Sequence, residues 1–307
     1  MNEEMKEAYS NCRLCPRKCG VNRLDGARGF CGQTAQLFAA RAGLHFWEEP
    51  CISGETGSGT VFFSGCNLRC IYCQNREIAL GNQGKEISAS RLTEIFFELQ
   101  EKGANNINLV TATHFVPHIR EALIHAKEQG FSLPIVYNTS GYEEVSTLRM
   151  LDGLIDIYLP DLKYRSGAPA ARFSNAPDYF EKASAALSEM YRQVGDPIFD
   201  ASTGLMRRGI IVRHLLLPGE AGEAKRVLRY LHDTFGEHIY VSIMNQYTPM
   251  PQIHDDPAFQ DIDRKVTSEE YERVLDFAEK IGIELGFLQE GDTAKESFIP
   301  PFTGEGL

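Results

Sequence analysis

Three cysteines share one short stretch of this sequence, Cys66, Cys70 and Cys73, with the spacing C-x3-C-x2-C. The stretch follows Val61–Phe63, an apolar run typical of a buried strand. Three thiolates on one loop can bind three irons of a [4Fe-4S] cubane and leave the fourth iron without a protein ligand. Structural zinc sites and ferredoxin clusters normally take four protein ligands, and no fourth cysteine lies close by. The spacing therefore predicts a catalytic iron–sulfur cluster with one open iron.

A second group of cysteines lies nearer the amino terminus: Cys12, Cys15, Cys19 and Cys31, with the spacing C-x2-C-x3-C-x11-C. Residues 1–60 are rich in Cys, Gly and Arg and too poor in apolar residues to hold a core without a staple. A complete set of four thiolates in such a segment favours a structural zinc site on which its folding depends. An auxiliary iron–sulfur cluster that delivers electrons is the alternative. Cys51 has no partner in either pattern, and we expect a free thiol.

Composition limits the classes of protein that need to be considered. The 307 residues carry a formal net charge of −11, the wrong sign for wrapping duplex DNA, so we expect no nucleic-acid partner. No window reaches the roughly 18 uninterrupted apolar residues of a membrane-spanning helix, and the acidic start does not resemble a secretory signal. We therefore expect a cytoplasmic protein without a membrane partner. Clustered thiols in that compartment indicate metal ligands or redox groups rather than disulfides.

Short apolar runs alternate with amphipathic stretches from Val61 onward, which predicts strands alternating with helices. Strands buried on both faces and separated by helices form a parallel sheet, either open or curled toward a barrel, and chemistry gathers at the carboxyl ends of such strands. The predicted strands are Val61–Phe63, Ile107–Val110, Leu133–Tyr137, Ile155–Leu159, Ile210–Leu217 and Tyr240–Met244, with Ile283–Leu288 as a candidate seventh. The predicted helices include one capped by Ser88 or Ser90 and ended by Gly103, one with Pro177 in its first turn, Ala224–Phe235 and Ser268–Ile281.

Several motifs along the chain resemble the radical S-adenosylmethionine (SAM) superfamily, and within it the PflX-type branch of the pyruvate formate-lyase activating enzyme group. They are the 66–73 loop with its Asn-Leu-Arg and Gln-Asn neighbours, Cys12–Gly20, Gly29–Gly32, Glu48–Pro50, Ser53-Gly54, Gly57–Gly59 and Phe62–Cys66. The resemblance implies a partial (β/α)6 barrel over residues 56–290. We expect a Cys-rich metal-binding extension over residues 1–55 and a tail over 291–307.

The resemblance also implies a reaction. SAM would bind the open iron of a reduced [4Fe-4S] cluster, and one electron would cleave it to methionine and a 5′-deoxyadenosyl radical that removes a hydrogen atom from a substrate. The activity implied most closely is glycyl radical formation in a partner enzyme, with flavodoxin or ferredoxin as electron donor. Radical chemistry on a small molecule, a peptide or an RNA base is a second hypothesis, and a non-catalytic electron carrier is a third.

The resemblance assigns roles to three further side chains. Tyr72 occupies the place where the superfamily usually has an aromatic ring against adenine. Asp161 and Lys163 match an Asp-x-Lys that contacts the methionine and substrate ends in the group's activating enzymes. Residues two apart at the end of a strand point to the same side, so both charged groups can reach one zwitterionic ligand.

Other strand-end residues are candidates on their own chemistry. Asn138 and Ser140 follow the third predicted strand and offer short polar groups for ribose hydroxyls, although turn chemistry favours the same residue types. Arg213 lies within an apolar strand, where an unpaired guanidinium is costly, so we expect it to face a carboxylate of the ligand or of the protein. Asn245 follows the sixth strand and is a further candidate for the pocket.

One departure from the family concerns the amino group of SAM. Most activating enzymes of the group carry Gly-Gly-Glu at the end of the second strand, where bare backbone binds that amino group. Leu109–His114 occupies this place here. We expect Thr111 and Thr113 to accept the amino group through hydroxyl or carbonyl oxygens. His114 is the histidine nearest to the expected pocket, and a buried structural role for it is as compatible with the sequence as a catalytic one.

Overall fold

A computed structural model describes residues 3–81, 83–289 and 300–307. Its centre is a sheet. The strands are β1 (Leu37–His45), β2 (Ser58–Phe63), β3 (Lys85–Ile87), β4 (Ile107–Val110), β5 (Ile135–Thr139), β6 (Ile157–Pro160), β7 (Ile198–Phe199), β8 (Met206–Leu215), β9 (Tyr240–Met244) and β10 (Gly286–Leu288). Their order in the sheet is β10-β9-β8-β6-β5-β4-β2-β1-β3, with the short β7 paired to β8. Every pairing from β2 through β4, β5, β6, β8 and β9 to β10 is parallel. The predicted α/β class is therefore confirmed, and the seventh strand joins the parallel series.

The helices begin and end close to the predicted signals, except that Pro177 lies two residues before the first residue of its helix, Tyr179, and not in the first turn. Ser88 caps one of them by accepting a hydrogen bond from the Arg91 N–H, and Thr267 forms a capping box with Glu270 on another. The helices are α1 (Glu3–Ser10), α2 (Pro50–Ser53), α3 (Arg76–Ala79), α4 (Ala89–Glu101), α5 (Val116–Glu128), α6 (Val145–Arg149), α7 (Gly167–Ser174), α8 (Tyr179–Val194), α9 (Ala221–Phe235), α10 (Pro251–His254) and α11 (Ser268–Ile281). None of the helices in the described residues is long and apolar enough to cross a membrane.

The amino-terminal region contributes more to the sheet than the sequence predicted. β1 pairs antiparallel with β2, from Ala39 opposite Phe63 to His45 opposite Ser58, with an irregular register between Ala39 and Arg41. Its burial does not alternate strictly, so the period of two that marks a half-buried strand is missing from the sequence. A division at residue 55 stays a prediction, and residues on both sides of it share one sheet.

The first 35 residues have a small core of their own. Met5, Tyr9, Cys12, Leu14 and Ala35 are buried together. Arg23 is 1% exposed, lies 4.5 Å from the centre of the Tyr9 ring, and donates hydrogen bonds to the carbonyl oxygens of Thr34 and His114. The Arg23 side chain thus ties the cysteine-bearing segment to the loop after β4.

The loop between β1 and β2 closes one end of the barrel. Its helix α2 buries Cys51 and Ile52 against Val136, Ile157, Leu159, Met206 and Ile211, which belong to a cluster distinct from the core under the larger helices. Asn105 and Asn106, just before β4, donate hydrogen bonds to the carbonyl oxygens of Ser53 and Ile52. Because β2 and β4 begin beside this loop, α2 closes the barrel at the amino ends of its strands.

The end of the chain returns to β1. Phe302 packs against Phe62, the Gly304 N–H donates to the Ala40 carbonyl, and the Ala42 N–H donates to the Glu305 carbonyl. Residues 300–307 of the predicted tail therefore dock on β1 and β2. Phe298 and Ile299, also expected in this tail, lie outside the described residues.

Candidate active site

A cavity of about 510 Å³ lies inside the barrel. Its walls carry part of the cysteine loop that follows β2 and side chains from all seven parallel strands or the turns that follow them. The sequence-predicted residues among its lining are Cys70, Tyr72, Cys73, Asn138, Asp161, Lys163 and Arg213. The structure therefore brings most of the predicted cluster and cofactor residues to one space.

The cysteine loop is held in place by local backbone geometry and by contacts from outside it. Gly65 has a φ of +88°, and a Cβ there would lie 2.6 Å from the Cys31 carbonyl oxygen, so only glycine fits. The Asn67 side chain donates to the Tyr142 carbonyl at 2.6 Å. The Ser174 hydroxyl donates to Cys70 Sγ at 2.9 Å. The loop is thus fixed at both neighbours of Cys66, Gly65 and Asn67, and at the sulfur atom of Cys70.

The three thiols of this loop are electrostatic neighbours. Burial raises the pKa of Cys73 to about 12, and the proximity of Cys66 and Cys70 raises it further. Burial also raises the pKa of Cys70, although the Lys163 ammonium acts in the opposite direction. Three thiolates this close together, one of them buried and two half-buried, need a cationic centre, and an iron–sulfur cluster supplies one. The residues therefore fit the implied cluster.

A buried ionic network lines the cavity, with Arg213 at its centre. The Arg213 guanidinium donates to Glu48 Oε2 at 3.1 Å, to Asp161 Oδ1 at 3.2 Å and to Asn138 Oδ1 at 2.6 Å. Asn108 and Asn138 donate to the other Glu48 oxygen at 3.1 and 3.3 Å. Arg213 therefore has the carboxylate partner that its place in an apolar strand requires, and it has two.

Asp161 and Lys163 form a second ion pair in the same wall, with Lys163 Nζ 2.6 Å from Asp161 Oδ2. Burial alone would raise the pKa of Asp161, but the charges of Lys163 and Arg213 lower it below its usual range. Burial alone would lower the pKa of Lys163, but the charge of Asp161 raises it. Both groups are therefore charged at neutral pH and present a mixed-sign surface to the cavity.

Tyr72, which lies within the cysteine loop, faces the same ion pair. Its hydroxyl is linked to Cys70 through the hydroxyls of Tyr164 and Ser174. Its ring centre lies 6.0 Å from Lys163 Nζ. The Tyr72 hydroxyl lies 2.7 Å from that of Tyr164, which lies 2.8 Å from the Ser174 hydroxyl beside Cys70. The position of the ring is therefore coupled to that of a predicted cluster ligand.

Two carboxylates in the cavity wall were not among the predicted site residues. Glu48 and Glu49 lie in the loop between β1 and β2, and both side chains line the cavity. Glu48-Glu49-Pro50 carried part of the family resemblance, but neither residue had a predicted role. The signal that could have found Glu48 was the need of Arg213 for a carboxylate, and sequence alone does not say which one.

Several other candidates point away from the cavity or do not line it. Thr113 donates its hydroxyl hydrogen to Glu143 at 2.6 Å and is 1% exposed. Thr111 has a φ of +59°, unusual for a β-branched residue, in the place where the family has glycine. Ser140 and Asn245 are likewise absent from the cavity lining. The roles expected for these four residues stay predictions.

His114 is buried within the protein interior. Its Nε2 lies 2.7 Å from the Ser64 carbonyl oxygen, so this nitrogen carries the hydrogen. Burial, with a smaller contribution from Arg23, lowers the pKa of His114 to about 3. A neutral histidine that donates to the backbone beside Gly65 fits the structural role.

The amino-terminal cysteines also lie near one another. Cys12, Cys15 and Cys31 are buried and Cys19 is exposed. Burial raises the pKa of Cys15 to about 12, with further increases from Cys31, Cys12 and Cys19. No group of three or more His, Cys, Asp or Glu side chains in the described part of the chain is arranged to hold a single metal ion. The amino-terminal zinc site therefore stays a prediction. The finding does not bear on the cubane expected at the cysteine loop, because each thiolate of a cubane binds a different iron.

Comparisons with known proteins agree with this geometry. Residues 60–189 match the sequence model of the Radical SAM superfamily, a span from β2 into α8 that includes the cysteine loop, Asp161 and Lys163. The chain is also 26% identical over 291 residues to the Methanocaldococcus jannaschii protein called "Uncharacterized protein MJ0674", covering 92% of this chain and 78% of the relative.

Two solved structures share the fold. A radical SAM methyltransferase from Sphaerobacter thermophilus aligns with a TM-score of 0.52 and 16% identity, over 76% of this chain and 66% of the methyltransferase. The FeFe-hydrogenase maturase HydG from Carboxydothermus hydrogenoformans aligns with a TM-score of 0.50 and 15% identity, over 73% of this chain and 50% of HydG. At these identities the likeness concerns the fold.

The Arg213 network generates a prediction about stability. Arg213→Met leaves Glu48 and Asp161 without their shared cation, and we expect the free energy of unfolding at pH 7 to fall by about 3 kcal/mol. The loss should shrink toward pH 5. Burial raises the pKa of Glu48, and its protonation removes the uncompensated charge. Denaturant titrations at both pH values measure these changes.

The matched control is Arg207→Met, which removes a pair with Asp200 at 3.0 Å whose side chains are 41% and 28% exposed. That change should cost less than about 1 kcal/mol. Equal losses in the two variants would show that the Arg213 network does not stabilise the fold more than a surface pair does.

Proposed function

We propose that this chain, whose residues 60–189 match the sequence model of the Radical SAM superfamily, is an enzyme that reductively cleaves SAM to begin hydrogen abstraction. Cys66, Cys70 and Cys73 are the residues that would hold the [4Fe-4S] cluster. When bound, the cluster and SAM supply a 5′-deoxyadenosyl radical. The observation that carries this proposal is the meeting of cluster cysteines and paired charged groups in one cavity.

The remaining residues bind and orient the cofactor in this proposal. Asp161 and Lys163 present one charge of each sign, which complements the amino and carboxylate groups of the methionine end. The Tyr72 ring offers a flat apolar face for adenine, and the Asn138 amide offers hydrogen bonds for ribose. The closed amino end of the barrel limits the entry of water, which protects a radical from side reactions.

The direct test is anaerobic reconstitution of the full chain with iron and sulfide, followed by SAM and a chemical reductant. We expect the wild type to form 5′-deoxyadenosine, measured by chromatography. Cys70→Ala should lose the product because one cluster ligand is removed. Cys51→Ala should keep it, because Cys51 packs among apolar residues away from the loop. Cluster spectra without any 5′-deoxyadenosine from the wild type would favour an electron carrier instead.

For the substrate, the activity with the closest resemblance is glycyl radical formation in a partner protein, with flavodoxin or ferredoxin as the electron donor. This proposal requires a glycyl-radical protein encoded in the same genome. Mixed with the reconstituted enzyme, SAM and reductant, that protein should develop a glycyl radical signal in electron paramagnetic resonance, and Cys70→Ala should abolish it. A genome without such a protein contradicts the proposal.

A second candidate is radical chemistry on a small molecule. The observation that favours it is the closed barrel end, where α2 fills the space between the strands and acidic side chains form the wall above it. Such a cavity resembles a small-molecule site in its size and in its few polar groups.

We also propose that Cys12, Cys15, Cys19 and Cys31 hold a structural zinc ion. Purification of a variant with Cys66, Cys70 and Cys73 all changed to alanine should leave about one zinc per chain, because the amino-terminal site is intact. An added Cys15→Ser change should remove the zinc, whereas an added Cys51→Ala change should not. Iron and sulfide in place of zinc would identify an auxiliary cluster and contradict this proposal.

A further inference from the structure

We propose that the Glu49 carboxylate, at the closed end of the cavity, binds a cationic group of a small-molecule substrate, a protonated amine or a guanidinium. This inference rests on the proposed function and adds the chemical class of the substrate. It concerns a residue that neither the resemblance nor the sequence assigned to any role.

Glu49 is a buried carboxylate with an oxygen left over. The residue is 8% exposed and lines the cavity, and its Oε2 has no hydrogen-bond partner among the described residues. The side chain of Ser242 is its hydrogen-bonding neighbour. A buried carboxylate oxygen without a donor is costly, and the residue that carries it lines the cavity, so a ligand group that enters the cavity beside Glu49 can supply the missing donor.

The other charged groups of the cavity wall are already engaged. Both Asp161 oxygens accept, from Arg213 and from Lys163, and both Glu48 oxygens accept, from Arg213 and from asparagine amides. His45 adds no charge at neutral pH, because burial and nearby arginines lower its pKa to about 4. Among the described lining residues outside the cysteine loop, three carboxylates face two cations, and Glu49 is the carboxylate without a directly paired cation. A cationic ligand group would complete the balance.

Glu49 and the cysteine loop lie at opposite ends of β2. Glu49 precedes that strand, and its carbonyl oxygen accepts the first hydrogen bonds of α2 from Ile52 and Ser53. Cys66 to Cys73 follow the same strand at its carboxyl end, near Asp161 and Lys163. A molecule held by Glu49 therefore lies deeper in the barrel than one held at the strand tips, as a substrate beneath SAM would.

SAM itself carries an amino group, so it is a second source of a cationic group for Glu49. The deep position of Glu49 in the barrel favours the substrate as its ligand, because the paired Asp161 and Lys163 stand beside the cysteines and already suit the methionine end of SAM. The two sources predict different behaviour of Glu49→Gln. If Glu49 serves the substrate, the variant binds SAM with the dissociation constant of the wild type, whereas a carboxylate that serves SAM is needed for that affinity.

The test uses the full chain reconstituted with its oxidised cluster in the presence of SAM. The probes are n-butylammonium and its neutral counterpart 1-butanol, with binding followed by ligand-observed nuclear magnetic resonance. We expect the wild type to bind butylammonium about tenfold more tightly than butanol, the strength of one charge-assisted hydrogen bond. Glu49→Gln should remove that preference, and Glu49→Asp, which keeps the charge, should retain part of it.

The matched control is Glu55→Gln, the same chemical change at an exposed position six residues along the chain. It should bind both probes as the wild type does. Equal binding of the two probes to the wild type, an unchanged preference in Glu49→Gln, or weakened SAM binding by Glu49→Gln would each overturn the inference. Failure of the wild type to form 5′-deoxyadenosine is a separate result, which refutes the proposed function whatever the probes do.

Discussion

The arrangement of the cavity depends on one buried cation. The Arg213 guanidinium, near the carboxyl end of β8, joins Glu48 from the loop before β2 to Asp161 after β6 and Asn138 on β5. A guanidinium inside a barrel is tolerated only when its donors meet acceptors, so the strand that carries it dictates where the carboxylates must lie. Asp161 in turn fixes Lys163, and with it the charged surface beside the cysteine loop.

This constraint also explains why the amino-terminal region is part of the catalytic domain. Glu48 reaches Arg213 only because the loop between β1 and β2 enters the barrel, where Ile52 is fully buried against inward-facing strand residues. The loop thus supplies both the barrel floor and a ligand of the central guanidinium. The cavity is closed at one end and lined by the cysteine loop at the other, which supports the proposal that SAM and substrate bind at different depths.

Much of the fold could be predicted from the sequence because its signals are local. Runs such as Ile107–Val110 predicted the parallel strands, and Ser88 marked a helix start. The partners of buried polar groups are not local: Arg213 and Glu48 are 165 positions apart, and Thr113 turned out to serve Glu143. Chemistry says that such a group needs a partner, but only the fold says which one. β1 was missed because its bulge breaks the alternation of a strand.

The central claim is that Cys66, Cys70 and Cys73 would hold a [4Fe-4S] cluster and leave one iron without a protein ligand, available to SAM. Electron paramagnetic resonance of the reconstituted and reduced protein, recorded with and without SAM, tests it most directly. The account predicts a [4Fe-4S] signal whose g values change when SAM is added, because the open iron gains a ligand. A signal that SAM leaves unchanged would contradict it.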